Sequence, residues 1–103
     1  MLEKLIGNTP LIKLGDRLFV KVETYNPSGS IKDRMAHYIL IKAEERGEIK
    51  SGYTIVEASS GNTGISFSML GAMRGYKVKI IMPCNMSCER KQMMKAYGAE
   101  IIE

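Results

Sequence analysis

The feature that most constrains the fold is an alternation between two hydrophobic periods, with a glycine or proline at each change. "YTIVEA" (Tyr53–Ala58) is a short β-branched run, interrupted by "SSGNTG". Ile65, Met69, Leu70 and Met73 then recur at helical spacing until Gly75. "KVKIIMP" (Lys77–Pro83) is a second strand pattern, stopped by proline. Ser87 is placed to cap a helix reaching about Tyr97, with Glu89 in its first turn, where a negative charge suits the helix dipole. Gly98 closes that helix and "AEIIE" begins a third strand. Three strands joined by two helices are two overlapping βαβ units, which predicts an α/β fold with a parallel sheet and right-handed crossovers. Tyr53–Ala58 is expected to be a buried strand of that sheet.

Upstream, "RLFVKVE" (Arg17–Glu23) alternates Leu18, Val20 and Val22 with polar positions, the pattern of a half-buried strand. The turn-rich "TYNPSGS" follows, and then a helix from about Ser30 to Arg46. Ile31, Met35, Tyr38 and Ile39 form its apolar stripe, and Gly47 is its stop. No internal repeat or low-complexity segment interrupts this order. The last strand pattern has no element after it to cover it, so the chain reads as the first part of a larger protein.

A chain of 103 residues, 45% of them hydrophobic, can build one modest core and no more than one domain. No apolar run approaches the roughly 20 residues that span a bilayer. The opening "MLEKLIGNTP" lacks the apolar core of a secretory signal, so a cytoplasmic protein without membrane contact is expected. The net charge of +4 comes from dispersed residues; even "ERK" contains an acid, and aromatics do not interleave with bases. Nucleic-acid binding is therefore not expected, while a small anionic ligand fits the mild excess. Cys84, Cys88 and a single histidine, His37, are too few for a structural zinc site, and the cysteines read as ordinary thiols at a helix edge. Met69, Met73, Met93 and Met94 fall at helical spacing and read as adaptable core filler.

Two stretches could carry chemistry. In "NPSGSIKDR" (Asn26–Arg34), an N-cap at Ser30 puts Lys32 second and Asp33 third in the helix, a spacing similar to a capping box. The dipole opposes a cation there, which favours the free amine that attacks carbonyl compounds. The alternative is a lysine pointing into solvent. In "ASSGNTG" (Ala58–Gly64), a strand hands over to a helix through glycines that let backbone N–H groups converge on an anion. The loop matches neither a Walker loop nor G-x-G-x-x-G. It is either an anion site at the carboxyl end of a parallel strand, or a plain cap at Asn62 or Thr63 with Gly61 as a turn residue.

Taken in order, "LIGNTPLIKL", "KVETYNPSGSIKDR", "SSGNTGI", "GYKVKIIMP", "MSCER" and "YGAEII" resemble the cysteine synthase and cystathionine β-synthase family. These are pyridoxal phosphate (PLP) enzymes of the tryptophan-synthase-β fold type, also called fold type II. The resemblance implies the N-terminal portion of a two-domain, three-layer fold. Residues 1–29 would belong with the larger domain, against which the strand near Phe19 packs, and residues 30–103 with part of the smaller one.

The implied reaction converts O-acetylserine and sulfide to cysteine and acetate by β-elimination and replacement, in a homodimeric cytoplasmic protein. Lys32 would hold PLP as a Schiff base and move protons, and Asn62 would hydrogen-bond the cofactor's 3′ oxygen. Ser59, Ser60, Gly61, Asn62 and Thr63 would grip the substrate carboxylate, with Ser59 standing where cysteine synthases usually carry threonine. The family's phosphate-binding loop lies much farther along the chain, so these 103 residues are expected to be inactive by themselves. Cystathionine β-synthase or a serine/threonine dehydratase is the alternative within the family. A non-enzymatic fragment or interaction module is the alternative outside it.

Overall fold

The strand patterns of the second half pair as the alternation requires. The computed structural model describes residues 2–103. Strands β3 (Thr54–Ala58), β4 (Lys77–Ile81) and β5 (Glu100–Ile102) form a parallel sheet in the order β3-β4-β5, with Ile55 opposite Val78 and Ile80 opposite Ile101. Helix α2 (Asn62–Arg74) joins the first pair and α3 (Cys88–Ala96) the second. Strands β1 (Leu11–Gly15) and β2 (Leu18–Lys21) form a separate antiparallel hairpin. Helix α1 (Lys32–Glu45) connects the two parts.

The core has two halves. Val78, Ile80 and Met82 meet Ile65, Met94 and Ala99 on one face of the sheet. Behind α2, Phe67, Met69 and Leu70 meet Ala36 and Leu40 of α1. Helix α2 lies between the sheet and α1, which is why every residue from Gly64 to Leu70 is buried. A helix with neighbours on both sides is apolar nearly all round. Helices α1 and α3 both end as their glycines allow. The Gly47 and Glu48 N–H groups return to the carbonyls of Glu44 and Ala43, and those of Gly98 and Ala99 to Lys95 and Met94. Both glycines carry the positive φ that this helix ending needs.

Several expectations need correction. The stripe Ile31, Met35, Tyr38 and Ile39 is 54, 39, 64 and 47% exposed, and α1 instead buries Asp33, Ala36 and Leu40. Ala36 and Leu40 pack on Phe67, Met69 and Leu70 of α2 and Asp33 bonds to Ser66, so the bulky stripe is left outward. Tyr53–Ala58 is not a buried strand: β3 is a sheet edge and its Val56 is 58% exposed. The helices pack on one face only, so Val56, Ile81 and Ile102 on the other meet water. The Arg17–Glu23 pattern forms β2, but among the described residues no layer lies against the hairpin, and Leu18, Phe19 and Val20 are all exposed. Its partner β1 was not among the expected strands. Met69 and Met94 are buried core residues as expected, whereas Met93, one position from Met94, faces outward.

Candidate active site

The first turn of α1 meets the second turn of α2 at one end of the molecule. Asp33 at the start of α1 accepts a hydrogen bond from Ser66 Oγ near the start of α2, at 2.6 Å. At the far ends, Arg74 of α2 pairs with Glu44 of α1. The helices therefore run side by side in the same direction, with both N-termini at the carboxyl ends of β3 and β4. That end opens into a groove of about 480 Å³ lined by Ala58, Ser59, Ser60, Ile81, Met82 and Pro83. Open parallel sheets bind ligands at this position.

Lys32 is the first residue of α1, one position earlier than the spacing predicts, because Ile31 rather than Ser30 is the N-cap. The Ser30 hydroxyl still serves the helix start, accepting the Lys32 N–H at 3.2 Å. The Lys32 side chain is exposed. The expected capping box between Ser30 and Asp33 does not form. Asp33 is fully buried, and its carboxylate takes bonds from the Ser28 N–H at 2.7 Å, the Ser28 hydroxyl and Ser66. A buried carboxylate needs several donors, and a solvent-facing cap could not supply them.

The turn before Lys32 is braced by a second network. Glu23 accepts from Arg34 Nε at 2.8 Å and Nη2 at 3.0 Å, from Thr9 Oγ1 at 2.6 Å and from Asn26 Nδ2 at 2.7 Å. The Arg34 guanidinium is the main reason its pKa is held down to about 2, and the Thr9 and Asn26 bonds lower it further. Asn26 in turn receives the Gly7 N–H at 2.8 Å, tying the N-terminal segment to this turn.

In the second loop, Asn62 and Thr63 are the first two helical residues of α2 and neither is its cap. Ser59 serves as the hydroxyl acceptor, taking the N–H groups of Gly61 at 3.2 Å and Gly64 at 2.9 Å. The N–H groups of Asn62 and Thr63 lie outside that bond, and at helix positions one and two they have no intrahelical partner. They point where the dipole favours an anion. The Asn62 carboxamide is exposed, and so is Ser60. Arg90 of α3 crosses this loop and donates to the Ser60 carbonyl at 3.1 Å. A side chain at Gly61 would come within 2.8 Å of Arg90 Nη1, so glycine makes room for that bracing.

Ser28, Ser66 and Arg90 were not picked out from sequence. Arg90 lies in the "MSCER" stretch, but a contact across 30 residues leaves no local periodicity to read. The two cysteines are exposed thiols, Cys88 opening α3 and Cys84 in the turn before it. Ser87 occupies the α3 cap position, although its hydroxyl makes no capping bond. His37 is paired, its Nε2 lying 3.2 Å from Glu3 Oε2. No helix of the described residues is long and apolar enough to cross a membrane.

Both the sequence and the fold recur in known proteins. The profile of the pyridoxal-phosphate dependent enzyme family matches residues 2–103. Cysteine synthase B of Salmonella typhimurium is 53% identical over 98% of this chain and 36% of its own length. A hydrogen sulfide-producing enzyme of Fusobacterium nucleatum superposes with a TM-score of 0.91 at 56% identity, covering 98% of this chain and 32% of that one. The cysteine synthase of Entamoeba histolytica gives a TM-score of 0.92 at 43% identity, covering 99% and 33%. The chain thus spans about a third of the length of these relatives. With the profile matched over all the described residues, the chain belongs to the pyridoxal-phosphate dependent enzyme family.

Proposed function

We propose that the chain is the N-terminal portion of a cysteine synthase that replaces the acetoxy group of O-acetylserine, lost from Cβ as acetate, with sulfide. The observation that carries this reading is the parallel placement of α1 and α2. It brings the Lys32 turn and the Ser59–Thr63 loop to the same end of the molecule. The residues suit the cofactor's aldehyde side: an exposed primary amine on a helix start, with an exposed carboxamide at Asn62 on the neighbouring one. Lys32 would be the covalent anchor, Asn62 the hydrogen-bond partner of the ring oxygen, and the later glycine/threonine-rich loop the phosphate holder.

When bound, PLP supplies an electron sink for the pair left at the substrate's Cα. The protein residues do the rest. The Asn62 and Thr63 N–H groups, with the Ser59 and Ser60 hydroxyls, hold the α-carboxylate and so fix which Cα bond faces the ring. The Lys32 amine, once free, would take the Cα proton. Acetate leaves from Cβ and sulfide adds there. Arg90 keeps the loop in place through the Ser60 carbonyl.

The same reading assigns residues 1–29 to the larger domain of the whole protein and 30–103 to the smaller. The separate pairing of the β1–β2 hairpin and its exposed Phe19 support that division. It also makes the whole protein a cytoplasmic homodimer. The test is absorbance: the whole protein with PLP should show a band near the visible edge, and Lys32→Ala should abolish it. A band that survives in the variant would refute the assignment. The 103-residue chain with PLP is expected to give no stable band. A second reading, production of hydrogen sulfide, is favoured by the Fusobacterium relative at 56% identity. Comparing turnover of O-acetylserine plus sulfide with turnover of cysteine separates the two.

A further inference from the structure

Asp33 directly follows the proposed anchor lysine, and it is the one fully buried acid among the described residues. Its partners are neutral: the Ser28 N–H at 2.7 Å, the Ser28 hydroxyl and the Ser66 hydroxyl at 2.6 Å. The two hydroxyls also lie 3.2 Å from each other. Taking a carboxylate out of water costs several kcal/mol unless donors replace the lost hydration. A cap for α1 would not need that burial. These bonds instead join three elements: the turn before Lys32, the first turn of α1, and α2. Ser66 lies one helical turn after Asn62, on the same side of α2. Lys32 is held between the clamped residues Ser28 and Asp33, its own N–H on Ser30 Oγ at 3.2 Å, while its side chain stays exposed.

We infer that Asp33 is a positioning residue. Through Ser28 and Ser66 it fixes the backbone of Lys32 in register with the Asn62 end of α2, so that the amine meets the cofactor aldehyde at a set distance from the carboxylate loop. This rests on the reading of Lys32 as the anchor. A buried clamp of this kind leaves the amine mobile along its stem and removes freedom only at its base.

The test uses the whole cofactor-loaded protein, stripped of PLP and then given it back, with Asp33→Asn and Ser66→Ala. The rate of cofactor capture per folded molecule is followed by the rising visible-edge band. Borohydride reduction and peptide mapping identify the lysine that carries the cofactor. Asp33→Asn removes the charge and leaves one acceptor oxygen where three donors met two, and capture should slow about tenfold, a fraction of the ~100-fold that 1 Å of misplacement can cost. Ser66→Ala, which removes one donor and keeps the fold, should slow it about threefold by the same reasoning. It decides the matter if the Asn variant does not fold. Wild-type label on another lysine would overturn the anchor reading and the clamp with it. Label on Lys32 with capture in the folded variants within twofold of wild type would overturn the clamp and leave the anchor standing.

Discussion

Gly71→Ala should destabilise the protein through one contact, although alanine is the better helix former. Gly71 lies in α2 where the helix crosses β4. A Cβ there would lie well inside 3.0 Å of Val78 Cγ2, with the Tyr76 carbonyl at 3.6 Å and Ile55 Cδ1 at 3.7 Å on its other sides. Carbon atoms prefer about 3.5–4.0 Å, so helix and strand must part by at least about half an ångström. Val78 is buried and β-branched, with few rotamers to escape into. Overpacking of this kind costs about 1–3 kcal/mol, and the rigid surroundings put it at the upper end. Alanine's helix propensity returns about 1 kcal/mol. The net loss is then about 2 kcal/mol, or about 10 °C in Tm for a chain of this size. Val78→Ala should cost about 2 kcal/mol by itself, from two buried carbons and the space they leave. In the double variant the new methyl occupies that space, and the total should stay near 2 kcal/mol instead of reaching about 4. Urea unfolding followed by circular dichroism, with equal slopes for all four proteins, measures the cycle. Additivity within about 0.5 kcal/mol, or a Gly71→Ala protein more stable than wild type, would refute the close approach.

Two further outcomes follow from contacts around the site. Glu23 has its pKa lowered from 4.5 to about 2, chiefly by Arg34. Its stabilising effect is therefore complete above about pH 4.5 and lost as pH falls towards about 2, and Glu23→Gln should flatten thermal stability across that window. Gly61→Ala should leave stability within about 0.5 kcal/mol, since Gly61 has an extended φ and its close neighbour is a movable arginine tip. It should nevertheless displace Arg90 from the Ser60 carbonyl and weaken amino-acid binding about fivefold in a spectral titration, the worth of one hydrogen bond. Unchanged binding would remove Arg90 from the loop's support.

The sheet and its helices were legible because their signals are local. Gly47, Gly75 and Gly98 stand where the helical patterns stop, and each closes a helix in the structure. Lys32 and the Ser59–Thr63 loop were legible as places where strand and helix periods change, but the roles proposed for them came only with the family resemblance. The partners of these residues were not legible. Periodicity located the apolar side of α1, but it cannot say whether that side has a neighbour; the contact with α2 is made by Ala36 and Leu40. Asp33 looked like a cap because Ser30 stands three residues before it, whereas its partner Ser66 lies 33 positions away. The hydroxyl that serves the start of α2 is that of Ser59, three residues before the first expected cap at Asn62, because the loop folds back across Gly61.

The way α1 and α2 are joined explains how the site can keep its geometry while the bulky face of α1 stays uncovered. At the site end the link is the Asp33–Ser66 bond. At the other end it is ionic: Arg74 pairs with Glu44 and with Glu3 at 2.6 Å, and Tyr76 donates to Glu44 at 2.6 Å. The Arg74 guanidinium, followed by the Tyr76 hydroxyl, holds the Glu44 carboxyl below its ordinary range, so the link stays charged at neutral pH. Between the two ends, Ala36 and Leu40 pack on Phe67, Met69 and Leu70. Two helices pinned at both ends and packed between them cannot slide without breaking all three contacts together. The relative placement of the Lys32 turn and the Ser59–Thr63 loop is therefore held at its centre by the α1–α2 pair, with Glu3, the Glu23 network and Arg90 bracing it from outside, and the outward stripe of α1 makes none of these contacts.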